Sequence, residues 1–233
     1  MSGDNSPRFY GRRHGRRLRA GRERLLHELL PRIAVPAGSD AVEPRDLFEF
    51  PVDRCWLEIG FGSGEHLAAQ AHANPRTGLI GCEPFVNGIA RLLSRIDEQR
   101  LGNVRIFPDD TRLLLGRLPP ASIGRVFVLF PDPWPKKRHA GRRIVAPEVL
   151  DQLARIMVDG AELRLASDEM GYIRWMLQRL QDHPAFAWTA RGPHGWRERP
   201  PDWPPTRYEE KAVAAGRRCA YLLFRRRDRA DSP

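Results

Sequence analysis

The sequence predicts an α/β protein built on a mostly parallel, seven-stranded sheet with helices on both faces and a basic arm in front. Three observations carry this. From Cys55 to about Leu180, short apolar runs alternate with stretches of helical period, the pattern of βαβ units whose crossover helices cover both sheet faces. The first apolar run ends in closely spaced glycines, where a strand should give way to a helix. Eight arginines (Arg8, Arg12, Arg13, Arg16, Arg17, Arg19, Arg22 and Arg24) crowd the first 24 residues against only Asp4 and Glu23.

The elements follow in order. The first ~20 residues show no hydrophobic period and should be disordered alone. Residues 24–33, RLLHELLPRI, have apolar residues at helical spacing, with Pro31 limiting the end. Pro36, Gly38, Pro44 and Pro51 mark residues 34–52 as a linker. These features divide the chain into an arm with a short helix, 1–40, and one domain, 41–233. Strands are expected at 55–60, 78–83, 103–107, 125–130, 161–167, 186–190 and 219–224. Helices are expected at 65–73, 86–101, 147–158 and 169–180; Ile89, Leu92, Leu93 and Ile96 share one face of the second. A polar, proline-rich loop covers 192–205, and no internal repeat is visible.

Composition narrows the function classes. The 233 residues suit one substantial domain with an appendage, and 41% hydrophobic content excludes a wholly disordered chain. No apolar run approaches the ~18–20 residues of a membrane span, and the polar N-terminus lacks a signal-peptide core. Cys55, Cys82 and Cys219 are odd in number and far apart, which fits a reducing cytoplasm and neither disulfides nor zinc. His66 and His72, six apart, do not align as metal ligands on a helix. No metal is expected, and the chain is expected as a monomer or a homodimer. The net charge of +10 gathers in the arm, in Lys136-Lys137-Arg138-His139 with Arg142 and Arg143, and in Arg225-Arg226-Arg227. Lysine occurs only at 136, 137 and 211, so a compositional bias toward arginine accounts for part of the excess. The clustering points to an anionic polymer as partner.

Two segments carry chemistry. Glu58-Ile59-Gly60-Phe61-Gly62-Ser63-Gly64 has GxGxG spacing, unlike the GxGxxG of nicotinamide proteins. Glu58 and Glu65 flank it, which disfavours a pyrophosphate and favours a cationic or hydroxyl-rich ligand. Glu83, at the end of the second strand, is placed to accept two ribose hydroxyls, and Asp109-Asp110 end the third strand where an adenine edge would lie. This set suits S-adenosylmethionine, whose sulfonium and ammonium are positive. The second segment, Phe130-Pro131-Asp132-Pro133-Trp134-Pro135-Lys136-Lys137, follows the strongest strand. Its three prolines stiffen the loop around Asp132, Trp134 offers a face for a base, and the basic run can hold phosphates.

EIGFGSG (58–64), FPDPWPKKRHAGRRIV (130–145), Ser167-Asp168 and Thr206-Arg207-Tyr208-Glu209 together resemble the bacterial tRNA (guanine-N7)-methyltransferase family, over about residues 8–226. The 130–139 segment is the specific part; the glycine loop is shared by many methyltransferases. The resemblance implies a Rossmann-like class I methyltransferase fold, S-adenosylmethionine as cofactor, and 7-methylguanosine at position 46 of the tRNA variable loop as product. It implies Glu58, Gly60, Gly62, Glu83, Asp110 and Asp132 as donor-binding residues and Asp132 as the catalytic one. Lys136, Asp168, Thr206, Arg207, Tyr208 and Glu209 match its substrate-binding positions. The chain departs from the family pattern at Pro84, at Thr111 and in Glu210-Lys211-Ala212. Three rivals stay open from the residues: methylation of an exocyclic amine, a nicotinamide oxidoreductase, and an RNA-binding partner subunit without activity. Packing of the late loop accounts for Trp188, Trp196 and Trp203 better than a grip on a base does.

Overall fold

A computed structural model describes residues 10–231, so the expectation for the arm's first nine residues lies outside the described residues. Seven strands form one sheet: β1 (Arg54–Ile59), β2 (Thr77–Cys82), β3 (Val104–Phe107), β4 (Ile123–Leu129), β5 (Met157–Ser167), β6 (Phe186–Trp188) and β7 (Ala220–Arg226). Their order is β3-β2-β1-β4-β5-β7-β6; β7 runs antiparallel to β5 and β6, and the other pairs are parallel. The chain winds outward from β1 to β3 and then crosses back to β4. The order therefore reverses between β1 and β4, and in open sheets of this kind ligands sit outside the strand ends at that point.

Helices cover both faces: α1 (Ala20–Glu28), α2 (Leu30–Ile33), α3 (Glu65–Ala73), α4 (Val86–Gln99), α5 (Thr111–Leu115), α6 (Pro147–Ile156), α7 (Met170–Asp182), α8 (His194–Arg197) and α9 (Arg207–Ala214). Two apolar clusters result. One holds Leu57, Val126 and Leu163 under α6 and α7; the other holds Leu79, Ile106 and Phe127 under α3 and α4. No helix among the described residues is long and apolar enough to cross a membrane.

The differences from expectation have local causes. The single helix expected over 24–33 starts earlier and is interrupted at Leu29, because Pro31 has no N–H to continue the ladder. The stretch read as a linker is packed: Val35, Val42, Phe48 and Val52 are buried, and the Val35 N–H bonds to the Ile106 carbonyl (2.8 Å) beside β3. The helix expected to reach 158 stops at Ile156. β5 begins at Met157 and bulges at Gly160 (φ +74°), where its register against β4 shifts. Of the third basic cluster, Arg226 is not available to a polyanion. It is buried and donates to the Ala154 carbonyl (2.8 Å), while the neighbouring Arg229 donates to the Arg155 (3.0 Å) and Met157 (2.7 Å) carbonyls. These are carbonyls left over where α6 ends.

Candidate active site

The glycine loop leaves β1 with Gly60, Gly62 and Gly64 at φ of +73°, +57° and +73°, the left-handed region that residues with a Cβ avoid. Gly64 caps α3, and a Cβ there would lie 2.7 Å from Leu92. Behind it, α4 comes so close that a Cβ on Gly88 would sit 2.2 Å from the Gly62 carbonyl oxygen. Gly88→Ala is therefore expected to lower stability by about 1–3 kcal/mol, read as a fall in the urea midpoint.

Glu83 binds the loop to β2. Its Oε2 accepts the Gly62 N–H (2.8 Å) and its Oε1 accepts the Phe85 N–H (2.9 Å). Burial pushes its pKa up to about 7, and the charges of Asp132 and Glu58 add to the rise against the two N–H bonds. A cavity of about 350 Å³ opens above, lined among others by Gly60, Gly62, Glu83, Asp110, Asp132 and Tyr208. Cys82 also lines it as a neutral thiol, its pKa pushed up to about 12 by burial. Asp110 caps α5 through the Arg112 N–H (3.0 Å) and pairs with the Arg112 guanidinium (2.6 Å). Glu58 does not line the cavity. It is buried on β1 with Oε2 2.7 Å from His66 Nδ1, itself buried.

Asp132 is open to the cavity, yet the protein mass around it raises its pKa. Phe130 (φ +50°) and Trp134 (φ +43°) bracket it in the left-handed region, a strain of about 1–3 kcal/mol each that a packed surround must hold. Arg143 holds it: its guanidinium donates to the Pro133 (2.9 Å) and Trp134 (3.2 Å) carbonyls and lies 4.8 Å from the Trp175 ring. The basic run thus contributes a loop clamp as well as surface charge. Arg143→Ala is expected to release the loop, lowering turnover about 10-fold or more while donor affinity changes less; single-turnover rates and donor titration separate the two. Trp134 lines the cavity with one face already taken, because Arg142 stacks between it (4.9 Å) and Tyr10 (4.5 Å).

The arm is placed from Tyr10 onward, against the expectation of disorder. Tyr10, Gly11 and Arg12 line the cavity, and Arg13 pairs with Asp109 (2.7 Å). Gly15 and Arg16 exchange hydrogen bonds with the Asn87 side chain, both 2.6 Å. Arg13 and Asn87 fix this segment with polar bonds, which a hydrophobic period does not reveal.

The substrate-side candidates divide. Tyr208 reaches the cavity and packs on Gly62; Lys136, Asp168, Thr206, Arg207 and Glu209 do not line it. Lys136 is exposed just before a 3-10 turn at Lys137–Arg142. Arg207 is exposed at the start of α9, a helix beyond those expected from the sequence. Thr206 caps that helix by accepting the Glu209 N–H (3.2 Å), and Glu209 is buried with Tyr221 OH (2.5 Å) and Arg199 Nε (3.1 Å). Thr-x-x-Glu at 206–209 was the available signal for a helix start. Asp168 follows β5 and pairs with Arg217 Nε at 2.6 Å. The tryptophans of the late loop pack: Trp203 is buried edge-on to His66 (6.2 Å) and Tyr221 (5.8 Å), and Trp188 lies 4.9 Å from Phe224. Among the described residues no group of three His, Cys, Asp or Glu side chains could hold a metal ion.

Residues 53–222 match the family described as "Putative methyltransferase". A tRNA (guanine-N(7)-)-methyltransferase of Rhodospirillum rubrum is 56% identical over 230 residues, covering 97% of this chain and 90% of the relative. One from Brucella anthropi is 46% identical over 220 residues, covering 94% of each. Among solved structures, the 16S rRNA methyltransferase KamB superposes with a TM-score of 0.54 at 17% identity, over 76% of this chain and 89% of that one. An rRNA methylase from Streptococcus thermophilus gives 0.52 at 11% identity, over 76% and 89%. At such identities these two speak to the fold, a Rossmann-like methyltransferase sheet.

Proposed function

The chain belongs to the tRNA (guanine-N(7)-)-methyltransferase family, and on that premise we propose that it moves a methyl group from S-adenosylmethionine to N7 of guanine 46 in the tRNA variable loop. The observation that carries the reading is the cavity itself. Carboxylates crown neighbouring strands beside a glycine loop at the switch point, and the strained Asp132 loop faces them. The donor set fits a ligand that is cationic at one end and a diol in the middle. Glu83 can accept the ribose hydroxyls, Gly60 and Gly62 leave backbone surface uncovered, and Asp110 can turn from Arg112 to an adenine amino group. Glu58, tied to His66, acts from below the loop through its charge. When bound, S-adenosylmethionine supplies an electrophilic methyl on a positive sulfur.

Guanine N7 carries an in-plane lone pair and no proton, so no base is needed at the attack. The protein's work is then orientation and field. Asp132 offsets the positive charge that grows on the purine, and Asp168 accepts its N1–H and N2–H. Lys136, Arg207 and the residue 1–40 arm hold tRNA phosphates, while residues 41–233 form the catalytic domain. The enzyme works where tRNA is processed, in the cytoplasm.

Incubation with labelled donor and unmodified tRNA, followed by nucleotide mapping, tests this. Label should appear as 7-methylguanosine at position 46; an N-methylated exocyclic amine, or no transfer by folded protein, would overturn it. For the arm, replacing the exposed Arg16, Arg17 and Arg19 by Ala should weaken tRNA binding. It should also flatten the log–log salt slope by about 2, at ~0.7 per phosphate contact. An unchanged slope in a salt series would remove the arm from the tRNA interface.

A further inference from the structure

We propose that Arg217 and Asp168 together read the Watson–Crick edge of the target guanine, Arg217 donating to O6 while Asp168 accepts N1–H and N2–H. This deepens the assignment of Asp168 above and rests on it. The position of Arg217 is set by the backbone. Gly216 (φ +68°) ends α9 in the left-handed region; its N–H bonds to the Val213 carbonyl (2.9 Å), and the Arg217 N–H to that of Ala212 (2.9 Å). That pair of bonds is a Schellman turn, which needs a left-handed residue at its corner and fixes the direction of the next one. Here it turns the chain back to the strand ends, where Arg217 Nε meets Asp168 Oδ2 at 2.6 Å.

Asp168 lies two residues past Ala166, which pairs with Leu129, and the Phe130 N–H bonds to the Ala166 carbonyl (2.8 Å). The Asp168–Arg217 pair and the Asp132 loop therefore crown adjoining strands, about 4.8 Å apart in the sheet. The pair is half open, with side chains 25% and 53% exposed. Among the described residues, Asp168 Oδ1 and the two terminal amino groups of Arg217 make no hydrogen bond. What remains is an acceptor beside planar donors at a strand end. Guanine offers the complement, acceptor O6 next to donors N1–H and N2–H, and contact along that edge leaves N7 unobstructed. Adenine reverses the polarity, setting its amino group against Arg217 and its bare N1 against Asp168.

The test uses tRNA ligated with guanine, inosine (no 2-amino group) or 2-aminopurine (no O6) at the target position, and single-turnover rates of wild type, Arg217→Ala, Arg217→Lys and Asp168→Asn. Wild type should prefer guanine over both analogues. Arg217→Ala should shrink the guanine-to-2-aminopurine ratio about tenfold, the scale of a charge-assisted hydrogen bond, and leave the guanine-to-inosine ratio unchanged. Arg217→Lys should restore part of the first ratio. A part of the 2-aminopurine penalty persists in every variant with Asp168 intact, because that base also lacks N1–H. If Arg217→Ala keeps the wild-type ratio, or lowers both ratios together, Arg217 does not read O6. If wild type ignores the inosine change and Asp168→Asn does the same, the Asp168 assignment fails on its own account.

Discussion

Asp132→Asn is expected to lower single-turnover methyl transfer to tRNA by about 10²–10³-fold, the cost of losing one aimed electrostatic contact at a reacting centre, with donor affinity within a few-fold of wild type. The substitution is isosteric. Arg143 still holds the Pro133 and Trp134 carbonyls, and the left-handed residues at 130 and 134 are untouched. What disappears is one negative charge beside the purine that becomes cationic. The same charge helps hold the Glu83 pKa up. The variant should therefore also ionise Glu83 at lower pH and move the pH dependence of donor binding downward. Near-normal turnover with saturating donor and tRNA would end the catalytic assignment.

Glu83→Ala is expected to weaken S-adenosylmethionine binding about 100-fold or more, from the loss of two charge-assisted hydrogen bonds to the ribose. It also frees the Gly62 N–H that Glu83 now holds. The raised pKa gives this prediction a pH signature. With a pKa of about 7, Glu83 in the free protein is protonated below that pH and ionised above it. Diol and sulfonium both favour the ionised form, so binding expels a proton in acid. The dissociation constant should fall as pH rises, up to about tenfold per unit below pH 7, and level off above. Without donor the sign for stability is opposite. Glu83 prefers its proton in the folded state, so its contribution to stability is lost as pH rises from about 4.5 to about 7. Glu83→Gln should remove both dependences. Calorimetry in buffers of different ionisation heat counts the proton directly.

The strands, the switch-point glycines and the strand-end acids were legible because each depends on local pattern. An apolar run that stops at glycine is a strand end, and a parallel sheet gathers such ends on one side. What stayed hidden depends on packing between distant segments. His66 stands in a helical stretch with nothing in its spacing to mark a partner, yet α3 folds back on β1 and brings it onto Glu58. Arg143 and Arg226 were counted as phosphate-binding charge, whereas each is spent on backbone carbonyls that a sequence does not show to be orphaned. Trp134 offers a face for a base, but its sequence neighbours do not show that Arg142 stacks on one side of it. The arm had no hydrophobic period to betray it, since Asp109 and Asn87 hold it through polar bonds. Glu209 and Thr206, which match a substrate-binding motif, also fasten α9, the helix that lays Tyr208 over Gly62.

The central claim is that strand-end carboxylates around the glycine loop make the seat of S-adenosylmethionine. Titration calorimetry of the folded protein with that compound at pH 8 addresses it most directly. One site per chain is predicted, with more proton release on binding at pH 6 than at pH 8, and the heat lost in Glu83→Ala. No heat at either pH, or an Ala variant that binds as wild type does, would contradict it.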